Sequence, residues 1–140
     1  MRPESTVARE RVRTLGLTFL TLGMIELAWV AFCLFGGAIL AITGFIGHEM
    51  GKFLWLLAGA SGVLALGNLP LALLHVWAGW TLRKGSGLVT AIAAMAACLV
   101  SLVFAMYCAP FSLFALGHAI VVLADAEARR ALDPAPEASR

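Results

Sequence analysis

Apolar residues run through this chain in long unbroken stretches, parted by two short polar clusters. The first stretch extends from Leu15 to Ile46, the second from Phe53 to Trp80, and the third from Leu88 to the edge of Asp125. Between Arg13 and Asp125 the only Asp, Glu, Lys or Arg side chains are Glu26, Glu49, Lys52, Arg83 and Lys84. A hydrocarbon layer of roughly 30 Å takes about 20 helical residues to cross, so each stretch predicts at least one membrane-spanning helix. The first is too long for a single upright crossing. Its excess is expected to be absorbed by tilt, by a break at Gly36-Gly37, or by an outward extension of the helix.

The third stretch is too long for one crossing and barely enough for two. Pro110, near its middle, predicts a helix ending around Tyr107 to Ala109 and another starting at Pro110 or Phe111, because proline suits a first helical turn. Pro70, beside Asn68, predicts a kink in the second helix. The expected fold is therefore all-α and polytopic: four transmembrane helices in two hairpins, over about 15–40, 53–80, 88–108 and 110–124. These form a membrane domain over 14–124, with a segment 1–13 before it and a tail 125–140 after it. Within the tail, Ala124 to Leu132 reads as a short helical extension with Asp125 and Arg129 paired at i,i+4. Its last residues, rich in proline, read as disordered, and the first dozen residues of the chain as mobile.

Composition changes the picture little. Hydrophobic residues make up 61% and charged residues 13% of the chain, against about a quarter charged in soluble domains. A net charge of +2 does not point to nucleic acid. The distribution of charge says more. An even number of crossings puts both ends and the Arg83-Lys84 turn on one face with nine of the ten basic residues, leaving Lys52 alone on the other. By the positive-inside rule both termini are expected to face the cytoplasm. Trp77 and Trp80 on that side, and Phe53, Trp55 and Tyr107 on the other, fit interfacial belts. The first apolar run has no small-residue cleavage site within the length of a signal peptide, so it reads as a retained anchor.

Helices in lipid associate through small residues that let backbones approach. Ala93, Ala97, Ser101 and Ala105 recur every four residues and predict a packing face on the third helix. Gly59 and Gly62 with Ala58 and Ala65 offer a similar face on the second, and Ala115 with Ala119 on the fourth.

Four polar side chains inside the apolar runs are the candidate sites: Glu26, Asn68, His75 and His118. Glu26 lies 13 residues beyond Arg13, where an ionised carboxylate is costly. It reads either as a proton or cation site or as a satisfied contact to a neighbouring helix. Counted from Arg83 and Asp125, His75 and His118 share a depth, and Glu26 lies several ångströms deeper, so the spacing does not predict one cluster of the three. Each histidine reads as singly satisfied, with a shared His75/His118 site the alternative. Asn68 reads as a cap for backbone groups freed by Pro70, or as a ligand-binding group. Cys33, Cys98 and Cys108 form no CxxC and read as packing residues, with a Cys33–Cys108 bridge left open.

No HExxH, phosphate loop or GxSxG occurs, so the sequence predicts no enzyme, no cofactor and no metal. The expected partners are the lipid bilayer and other membrane chains, including copies of itself. The leading expectation is an accessory subunit or scaffold; the alternative is an oligomeric transporter or channel unit with an intramembrane proton or ion site at Glu26.

Gly79-Trp80-Thr81-Leu82-Arg83-Lys84, the alanine-rich helix after it, Pro110, the run Leu116 to Leu123, and Ala126 to Leu132 together resemble small uncharacterised four-helix membrane proteins of bacteria. The resemblance implies a basic turn, a hairpin with proline at its apex and a Glu-x-Arg tail, as in Glu127-Ala128-Arg129. It implies no catalytic or binding residue. Gly85-Ser86-Gly87 stands where that group often has an aromatic residue, and His118 where it is apolar.

Overall fold

A computed structural model describes residues 3–46, 50–85, 87–104 and 106–132. These form five α-helices: α1 (Pro3–Ile46), α2 (Gly51–Arg83), α3 (Leu88–Phe104), α4 (Ala109–Ala124) and α5 (Ala126–Leu132), with a 3₁₀ turn, Met106–Cys108, between α3 and α4. The His48-Glu49 part of the outer turn, Ser86, Ala105 and the tail 133–140 fall outside the described residues.

Two helices, Thr6–Ile46 and Gly51–Arg83, are long and apolar enough to cross a membrane. Leu88–Val103 is shorter, and α4 reaches that length only together with α5, from which it is bent by 96°. The two hairpins are thus unequal. At 1.5 Å per residue the apolar part of α1 measures about 48 Å, whereas α3 and α4 measure about 25 Å.

No break occurs at Gly36-Gly37; α1 is one helix of 44 residues, continuous with the polar residues before Thr14. The reason lies in what its glycines face. A Cβ on Gly16 would stand 2.9 Å from the Gly79 carbonyl oxygen, one on Gly23 2.9 Å from that of Ala72, one on Gly37 3.4 Å from that of Ala58, and one on Gly44 3.1 Å from that of Gly51. Gly16, Gly23, Val30, Gly37 and Gly44 recur every seven residues, and so do Gly51, Ala58, Ala65, Ala72 and Gly79 running the other way. Glycine meets glycine or alanine at four of these five levels, with Val30 against Ala65 at the middle one, so the two backbones lie close along the antiparallel pair. A strict seven-residue repeat favours a left-handed supercoil.

The packing face expected on α2 is therefore divided. Ala65 is buried and Ala58 meets Gly37, but Gly59 and Gly62 face open space. Pro70 lies inside α2, which continues through it as one helix.

The shorter pair packs against the half of the long one nearer Arg13 and Arg83, its inner half by the expected orientation. Leu15, Phe19 and Leu22 of α1 supply bulk, and Ala91, Ala94, Ala115 and Ala119 of α3 and α4 receive it. Pro110 stands in the first turn of α4, as its restricted φ and missing N–H favour. The tip of the pair reaches only as far as Trp29, whose ring stacks on Tyr107 at 4.0 Å. Trp55 instead lies beside Gly44, about 22 Å further along α1. Tyr107 and Trp55 therefore do not share the single outer belt expected of them.

The tail departs from expectation too. The backbone turns at Asp125, which adopts an extended conformation, and α5 folds beneath the bundle with Ala128 and Leu132 buried. Asp125 does not pair with Arg129. Its Oδ1 accepts the Glu127 backbone N–H at 3.0 Å, capping α5, while Oδ2 binds Arg11 of α1. An aspartate at the N-cap satisfies one of the free donors of a first turn.

Candidate functional site

Glu26 and His75, which sequence depth kept apart, are in contact. Glu26 Oε2 lies 2.7 Å from His75 Nδ1, and both side chains are fully buried. The register explains the discrepancy. Gly23 faces Ala72 and Val76, so the His75 backbone stands about one helical turn, roughly 5–6 Å, nearer the basic end than that of Glu26. In a helix each Cα–Cβ bond tilts toward the N-terminus. In an antiparallel pair the two tilts oppose, so Glu26 leans toward the basic end, His75 leans away from it, and the head groups converge. Counting backbone positions omits this convergence.

A third helix completes the cluster. Ser101 of α3 donates its hydroxyl to Glu26 Oε1 at 2.8 Å, and His75 Nε2 lies 3.3 Å from the Ala94 carbonyl oxygen and 3.4 Å from Cys98 Sγ. Phe19 lies parallel to the imidazole, with centroids 6.0 Å apart. With one proton shared between acid and ring, every polar atom is matched. Either Glu26 donates to Nδ1 and Nε2–H donates to Ala94, or an imidazolium donates to both. Both arrangements carry no net charge, which is what a site shut off from water requires.

His118 stands elsewhere. Its Nδ1 lies 2.9 Å from Thr18 Oγ1, and because the Thr18 hydroxyl donates to the Thr14 carbonyl, the ring N–H is the donor. His118 thus ties α4 to α1, while His75 ties α2 to α1 and α3. Asn68 is buried, and its Nδ2 donates to the Leu64 carbonyl at 2.7 Å. The carbonyl that Pro70 leaves without its helical donor is that of Leu66, so Asn68 does not cap it. Of the face expected on α3, Ala97 and Ser101 are buried and Ala93 is half-buried; Ala94 and Cys98, outside the four-residue spacing, complete it. Cys33, Cys98 and Cys108 are all buried, unpaired thiols.

Among the described residues no group of three or more His, Cys, Asp or Glu side chains is arranged to hold a metal ion. At the basic end, outside the apolar segments, the Asp125 carboxyl is held below the usual carboxylate range. The Glu127 N–H contributes most to this, and the Arg11 guanidinium adds to it.

Comparison with protein-family models, curated proteins and solved structures returned no match.

Proposed function

We propose that this chain is a four-crossing protein of the bacterial inner membrane, with both ends in the cytoplasm, and that it acts through protein contacts as an accessory subunit or self-associating scaffold. The observation that carries this reading is the unequal length of the two hairpins. Among the described residues no third helix accompanies α1 and α2 beyond the Trp29–Tyr107 contact. Phe35, Ile42, Phe45, Leu56 and Val63 are exposed there, each by more than 60%. No single bilayer thickness matches helices of about 48 and about 25 Å. A layer fitted to the short pair leaves the apolar outer half beyond it, and a layer fitted to the long pair leaves a notch above the short one. Another membrane chain, seated on the outer half of α1 and α2, resolves both cases.

The Glu26–His75 cluster supports the same reading. It is buried and internally matched, and it fastens α3 to the long hairpin. A transport role would need an opening beside Glu26; Glu26→Gln would then abolish flux in proteoliposomes, and an absence of flux in the parent protein removes that reading. The contact role is tested by placing single cysteines at Phe45 and Val63 in turn, in a background lacking the three native thiols, and cross-linking in native membranes. Adducts of defined size are expected. Uncross-linked chain, extracted in mild detergent as a lone monomer with nothing co-purifying, overturns the proposal.

A further inference from the structure

At the end of the bundle that carries α5, five cations surround one pocket of about 470 Å³: Arg9 and Arg13 of α1, Arg83 and Lys84 at the end of α2, and Arg130 of α5. We infer that this pocket is a binding site for a phosphate group, carried by the headgroup of an anionic lipid. The inference rests on the membrane reading above, but not on the scaffold role.

Among the described residues the pocket is electrostatically incomplete by itself: no carboxylate there is ion-paired with any of the five, Asp125 binds Arg11 instead, and neither Glu10 nor Glu127 pairs with a lining cation. Several like charges facing one cavity repel, and an anion between them removes that cost. Guanidinium groups fork onto phosphate oxygens in pairs, which suits a phosphodiester better than a halide.

The site is also held in place. Arg130 stands on a docked helix: Ala128 and Leu132 are buried beneath the bundle, and the Gly87 N–H donates to the Leu132 carbonyl at 3.1 Å. Gly16, one turn from Arg13, packs against Arg83, so the basic ends of α1 and α2 are fixed side by side.

The depth is that of lipid headgroups. Trp77 and Trp80 are both exposed within two turns of Arg83, and Lys84 Nζ sits 5.4 Å from the centre of the Trp80 ring. Tryptophan gathers at the membrane–water boundary, and basic pockets on the cytoplasmic side of helix bundles take anionic headgroups.

The test uses the full chain, delipidated in neutral detergent, with lipid retained per chain counted by native mass spectrometry. Phosphatidylglycerol is expected to be retained at least about tenfold more strongly than phosphatidylcholine, and Arg13→Gln with Arg83→Gln to remove most of that preference. Lys52→Gln with Arg129→Gln, an equal loss of charge outside the pocket lining, should keep it. Equal retention of the two lipids, or equal loss in both double variants, overturns the inference. Displacement of phosphatidylglycerol by millimolar inorganic phosphate would assign the site to a soluble phosphate and overturn the lipid source. Should the pocket variant lose its helical circular dichroism, Arg130→Ala, at an exposed position on α5, gives the same reading. Counting per chain keeps this result separate from the oligomeric state, which alone decides the scaffold proposal.

Discussion

The inner and outer halves of the long hairpin use the same backbone contact and differ in everything built on it. Small residues meet at seven-residue spacing in both, from Gly16 against Gly79 to Gly44 against Gly51, with Val30 against Ala65 between them. Only the inner half adds large buried side chains, the Glu26–His75–Ser101 cluster and three further helices. The comparison teaches that close backbone approach suffices to pair α1 with α2, while the polar cluster decides where the short pair attaches. Apolar surface alone cannot choose that place, since lipid covers it equally well.

Removing one member of the buried pair should have the largest effect. Glu26→Ala leaves His75 without its acid and is expected to cost about 3–5 kcal/mol, read as detachment of α3 and α4 in hydrogen exchange while α1 and α2 remain protected. Equal loss of protection in both halves would show that they fold as one unit. Replacing Glu26 and His75 together by leucine should recover much of the loss.

The backbone contact comes next. A Cβ on Gly79 would stand 2.6 Å from the Leu20 nitrogen, so Gly79→Ala should push the helices apart and cost about 1–3 kcal/mol in detergent unfolding. At Gly44 the nearest approach is 3.1 Å, so the same change should cost less. Gly59 faces open space, and Gly59→Ala should stabilise the helix by about 0.5–1 kcal/mol. A loss at Gly59 equal to that at Gly79 would break the assignment of faces.

The smallest effect belongs to Asp125. Its carboxyl is held below the usual range in the folded state, so its contribution is complete above the unfolded value of about 4. That contribution is lost as pH falls through the lower folded value. Exchange at the α5 amides should therefore be flat around neutrality and rise only in acid beyond the intrinsic rate, and Asp125→Asn should raise it around neutrality and make little difference in acid.

The apolar runs and the division at Pro110 were legible because they follow from length and from proline chemistry. The seven-residue repeat was present in the sequence as well. A four-residue spacing like that of Ala93, Ala97 and Ser101 does not reveal it, and Gly59 and Gly62, three residues apart, are small but face open space. Glu26 and His75 could not be joined by counting from Arg13 and Arg83, since side chains of antiparallel helices lean toward each other by about a turn. The bend at Asp125 was hidden by a helical pattern that continues on both sides of it, although an aspartate followed by Ala-Glu-Ala is a reasonable start signal for a new helix.

The hydrogen bond from Gly87 to Leu132 also bears on the order of biosynthesis. Every residue of the long hairpin has left the ribosome once Arg83 emerges, whereas the floor beneath it cannot close until Leu132 is free of the exit tunnel. The two longest rods can therefore pair during translation, and the latch between Gly87 and Leu132 is set only after them.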